Sequence, residues 1–107
     1  MYKRQGLKAG DGYKVGKFPF AASGKAQALG HTEGFVKLIT ESTYGEILGV
    51  HMVGDQVTEL LAGLGLAKRL EATANDVIAT MHAHPTLSEA IHEAALGTAG
   101  RMIHVAQ

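Results

Sequence analysis

Residues 34–53 read GFVKLITESTYGEILGVHMV, and this stretch decides the fold. Phe35, Val36, Leu38 and Ile39 form one apolar run, so Gly34 to Glu41 is expected as a strand. Ile47, Leu48, Val50, Met52 and Val53 form another, so Glu46 to Val53 is expected as the next. Ser42-Thr43-Tyr44-Gly45 between them is a turn, which makes the two strands an antiparallel hairpin. In the later strand the apolar residues fall on both faces, Ile47 and Val53 on one and Leu48, Val50 and Met52 on the other. That pattern predicts a central strand covered on both sides.

Upstream, Tyr13 to Phe20 carries Tyr13, Val15, Phe18 and Phe20 and reads as a further strand. Pro19 has no amide hydrogen to give a neighbour, so this strand belongs at an edge or ends there. Ala21 to His31 is small, polar and glycine-containing: a loop with one helical turn. Met1 to Gly12 has no period and is expected as a linker or the remnant of a preceding domain, leaving 13–107 as the folded unit.

Downstream of Gly54 the period changes. Val57, Leu60, Leu61, Leu64, Ala67 and Leu70 recur at helical spacing from Asp55 to Leu70, with Asp55 as the expected N-cap. Gly63 and Gly65 each cost this helix about 1 kcal/mol against alanine, so they are expected where another backbone comes close. Thr73 to Asp76 has the form of a capping box and starts a short helix with Val77, Ile78 and Met81. A last helix, capped by Thr86, turns Leu87, Ala90, Ile91, Ala94 and Ala95 to the core. Strands first and helices after make an α+β domain, a small antiparallel sheet packed with helices. No internal repeat interrupts this order.

The chain has 107 residues, enough for one domain with a modest core. Ten basic and ten acidic side chains cancel. No basic run supplies a phosphate footprint, which argues against a nucleic-acid or membrane-surface role. No apolar stretch reaches the ~18 residues of a membrane span. The start of the chain has no apolar core behind it, so no signal peptide is expected. There is no cysteine, which excludes disulfides and thiolate chemistry within the chain.

The chemistry concentrates in His82-Ala83-His84-Pro85-Thr86-Leu87-Ser88-Glu89. Imidazole titrates near neutrality, so it can take and return a proton at working pH. A sharp bend at His84-Pro85, with the peptide bond expected cis, lets Glu89 fold back onto His84. A base held by a carboxylate is two-thirds of a triad awaiting its nucleophile. On spacing alone, Glu89 is also the last residue of a Thr-x-x-Glu capping box. A carboxylate has room for both partners. His82 is read as structural or as lining the approach, and His31, His51, His92 and His104 as surface or packing residues. A metal site is the rival chemistry. His82, His84, Glu89 and His92 contain no HExxH, no cysteine pair and no second Glu-x-x-His, so no metal is expected.

This octapeptide resembles the signature of the pyridine nucleotide-disulfide oxidoreductases. The run Thr86 to Ala90 favours the dihydrolipoamide dehydrogenase branch over the glutathione-reductase one. The likeness extends to Tyr13–Phe20, similar to the first strand of that family's interface (dimerisation) domain. It includes Ile47–His51, similar to its central strand, and Gly100–His104, similar to its C-terminal end. The resemblance implies that the chain is one domain of a larger, homodimeric enzyme. It implies that His84 is the acid/base, that Glu89 hydrogen-bonds it, and that the backbone of His84 and Pro85 lies near the partner's flavin. It also implies FAD and NAD in the full enzyme, with none bound by this chain alone, since the chain lacks both the redox cysteines and a G-x-G-x-x-G loop. The implied partners are the FAD- and NAD-binding domains and the lipoyl domain of a 2-oxoacid dehydrogenase complex. The implied location is cytoplasmic, or the mitochondrial matrix in a eukaryote. The fragment alone is expected to be inactive. A purely structural dimerisation module, or a glutathione-reductase-like enzyme, is the alternative.

Overall fold

The computed structural model describes residues 12–103. The expected linker before Gly12, His104 and the last residues of the tail lie outside them. Three strands form the sheet: β1 (Tyr13–Pro19), β2 (Phe35–Glu41) and β3 (Ile47–Val53). Four helices accompany them: α1 (Gly24–Leu29), α2 (Val57–Arg69), α3 (Ala74–Ala79) and α4 (Glu89–Thr98). A 3-10 turn at Phe20–Ala22 leads into α1, so the predicted loop is more helical than its composition suggests. Ser23 caps α1 by accepting from the Ala26 amide. Among the described residues no helix is long and apolar enough to cross a membrane.

The sheet order is β1-β2-β3, antiparallel throughout. Pro19 ends an edge strand, as expected. The central strand is β2, however, and β3 lies at the other edge. The two-sided apolar pattern of β3 has a different cause, a bulge. Ile39 faces Gly49, but the adjoining Thr40 faces Ile47, so Leu48 is an extra residue. One inserted residue breaks the period of two, and Ile47 returns to the face of Val50 and Met52.

That face carries the core. Phe18, Val36, Leu38 and Ile47 are fully buried there, beneath Leu87, Ala90, Ile91, Ala94 and Ala95 of the α4 region. The close backbone approach is made by α4 on β1. A Cβ on Gly16 would sit 1.9 Å from the Ala94 carbonyl, and one on Gly97 would sit 3.2 Å from the Gly16 Cα. Gly63 and Gly65, where the sequence predicts such an approach, have open space around them in this chain.

The helix α2 starts one residue later than expected. Gln56, left-handed at φ 60°, is the N-cap, and no side chain caps the helix. Asp55 stands one residue too early to reach those amides. The α3 capping box forms as predicted, between Thr73 and Asp76. Met81 lies past the end of α3 and is exposed.

Candidate acid–base site

The segment between α3 and α4 is built from both ends. At the α3 end, His82 Nε2 lies 3.1 Å from the Val77 carbonyl. A carbonyl only accepts, so Nε2 carries the hydrogen and the ring closes off the last turn of α3. Its Nδ1 then carries the lone pair, and Ser88 Oγ, 3.5 Å away, stands at the limit of hydrogen-bond distance from it. The rings of His82 and His92 are 5.0 Å apart. His82 is therefore bound into the loop's framework and lines a cavity of about 380 Å³ between α2, α3 and α4. His31 and His51 are on the surface.

At the α4 end, buried Leu87 anchors the loop and Glu89 occupies the first helical turn, where a negative charge is favourable. The carboxylate folds back onto His84: Nδ1 is 2.9 Å from Oε1 and 3.0 Å from Oε2. The Thr86 amide donates to the same Oε1 at 3.0 Å. Glu89 thus holds both the His84 ring and the Thr86 amide, but Thr86 is not the N-cap of α4, so the expected capping box does not form. The His84–Pro85 bond is cis, as the sequence suggests.

Thr86 departs from expectation. Its hydroxyl does not cap α4, and the N-cap position belongs to Ser88, without a side-chain bond. Instead Thr86 Oγ1 donates to the Ala83 carbonyl at 2.6 Å. Having one hydrogen, it can only accept from Ser88 Oγ, 3.1 Å away. A threonine after X-Pro carries this possibility in the sequence, but so does the cap, and local pattern does not separate them.

The chemical capacity of the pair follows from proton placement. With Glu89 ionised, Nδ1 holds the hydrogen, and the lone pair of neutral His84 is at Nε2. The His84 side chain is 76% exposed and that of Glu89 29%. An exposed pair of this kind adds little stability. A hollow of about 270 Å³ adjoins the pair, lined by Phe18, Ser23, Gln27 and the buried Glu93 among others. Sequence reading passed over Glu93, which accepts from the Ile103 amide at 2.9 Å and ties the tail to α4. Among the described residues no group of three His, Cys, Asp or Glu could hold a metal.

Residues 2–95 match the family model of the pyridine nucleotide-disulphide oxidoreductase dimerisation domain. The chain is 53% identical over 95 residues to a dihydrolipoyl dehydrogenase of Bacillus subtilis, covering 89% of this chain and 20% of the relative. It is 50% identical over 91 residues to that of Zymomonas mobilis, covering 85% and 20%. Among solved structures it resembles LpdA from Mycobacterium tuberculosis (TM-score 0.74, 26% identity, covering 78% of this chain and 18% of that one). It also shares a fold with the HOCl-induced flavoprotein disulfide reductase RclA from Escherichia coli (TM-score 0.77, 18% identity, covering 88% and 21%). The chain spans about a fifth of the length of the curated relatives it matches. The match runs through all three strands and into α4, past the His84–Glu89 pair, and by it this chain belongs to the dimerisation-domain family of the pyridine nucleotide-disulphide oxidoreductases.

Proposed function

We propose that this domain serves a homodimeric dihydrolipoyl dehydrogenase and supplies its acid–base pair to the partner subunit. The observation that carries the reading is the bidentate approach of Glu89 to His84 Nδ1, on a ring that is mostly exposed. The ring is aligned by Glu89 and left open in this chain, which suits delivery to another surface. The α2 face bearing Gly63, Leu66 and Leu70 is open too, with the leucines 59% and 70% exposed, which suits a second copy. A role in dimerisation and a role in catalysis therefore reinforce each other.

The redox disulfide would come from other parts of the enzyme, because this chain has no cysteine. When bound, FAD and NAD supply the electron transfer. Toward them this chain offers only the exposed segment Ala83–Pro85, whose backbone would lie against the partner's flavin. What its own residues do is move a proton. A thiol of dihydrolipoamide gives its hydrogen to His84 Nε2 as its sulfur attacks the partner's disulfide, and the displaced sulfur leaves as a thiolate. Glu89 keeps the ring turned and stabilises the imidazolium. A lipoyl domain would present the substrate, and the reading carries a cytoplasmic (or matrix) location with it.

The test is made in the full-length enzyme. His84→Gln should slow dihydrolipoamide oxidation by roughly 10²–10⁴, the usual contribution of a positioned acid/base. Glu89→Ala should cost less, since it removes only the orienting group. Undiminished turnover in the His84 variant would overturn the assignment.

A further inference from the structure

Resting on that reading, we infer that Thr86 is a positioning residue for the acid–base pair. It holds both the base and the base's partner. Its hydroxyl binds the carbonyl of Ala83, the residue immediately before His84, at 2.6 Å. Its amide binds Glu89 Oε1, which also faces His84 Nδ1. The backbone leading into the imidazole and the carboxylate orienting that imidazole are thus referred to one residue. The hydroxyl fixes the backbone that carries the ring, and the amide fixes the carboxylate that turns it. The hydroxyl gives its only hydrogen to Ala83, so this link is directional, and Ser88 Oγ completes its shell as donor.

A cap would have explained a threonine here, but the structure directs the hydroxyl elsewhere. An exposed loop carbonyl could bind water instead. Binding Thr86 adds geometric definition at the place where a misaligned base loses rate.

Full-length, FAD-loaded enzyme is prepared as Thr86→Val, Thr86→Ala and Thr86→Ser, each in wild-type and His84→Gln backgrounds. Thr86→Val and Thr86→Ala should lower kcat for dihydrolipoamide oxidation by about tenfold, with KM within about twofold. Thr86→Ser, which keeps the hydroxyl, should restore it. In the His84→Gln background the same changes should cost less than about twofold, because residues acting as one unit are not additive. Ring-nitrogen NMR of histidine-labelled enzyme at alkaline pH gives an independent reading. Wild type should show His84 as the single Nδ1–H tautomer and Thr86→Val a mixture. Equal losses in both backgrounds, wild-type rates for both hydroxyl-less variants, or failure of both to form the flavin-loaded dimer would each overturn the inference. If His84→Gln itself left turnover intact, the parent reading would fall, while the tautomer measurement would still decide whether Thr86 positions the ring.

Discussion

Glu41 shows how a single carboxylate can organise a turn. Its Oε2 accepts from the Thr43 amide at 2.7 Å and its Oε1 from the Tyr44 amide at 2.6 Å. These bonds, that from Tyr44 first and that from Thr43 next, hold its carboxyl below the usual value of 4.5. A depressed folded pKa means stability that is present above the unfolded pKa and lost as pH falls through the folded one. Glu41→Gln should therefore destabilise the chain at neutral pH, and the difference from wild type should shrink in acid, as the pH falls below 4.5. Denaturant unfolding at neutral and acid pH checks this; a difference that persisted undiminished in acid would deny the carboxylate its role. The turn itself was legible from Ser42 to Gly45, but the carboxylate's part was not, because it depends on which rotamer the preceding strand permits. The His84–Glu89 contact was legible because both residues lie within one short signature. The Thr86 hydroxyl was not, because a threonine can reach forward to a helix amide or back to a loop carbonyl, and only the path of the chain decides.

At the scale of elements, the decisive contact is α4 crossing β1 through Gly16. A Gly16→Ala methyl would meet backbone at 1.9 Å, which no rotamer relieves. It should destabilise by about 1–3 kcal/mol or more through displacement of the helix. Gly63→Ala meets nothing within 4 Å and sits in a helix interior, so in the single chain it should stabilise by about 0.8–1 kcal/mol. Thermal or denaturant melts of the two variants should thus move in opposite directions; a neutral Gly16→Ala would mean that the crossing is loose. Sequence patterns located every strand to within a residue, since Phe35–Glu41 and Tyr13–Pro19 have the right period and breakers. They mistook which strand is central, because one extra residue at Leu48 imitates two-sided burial. They also assigned close approach to the wrong glycines. A glycine's partner is long-range information, and Gly16 in a strand looks no different from Gly49.

For the whole molecule, two outcomes follow from the open α2 face and from what the chain contains. Light scattering should give twice the 11.2 kDa chain mass, and Leu66→Glu should shift it toward one copy; a clean wild-type monomer at high concentration would count against the α2 interface. Mixed with dihydrolipoamide and NAD⁺, the 107-residue chain should produce no NADH above buffer, since it brings a base without a cysteine pair. Turnover abolished by His84→Gln would contradict this. The compact spacing of the pair has a consequence of its own. The bonds that set the ring, its carboxylate and their clamp all fall between Ala83 and Glu89, no more than five positions apart. Alignment within the pair is settled inside a heptapeptide, and the sheet and the other helices decide only where that heptapeptide is carried. Sequence drift in the scaffold could therefore change where the base is delivered without blunting it.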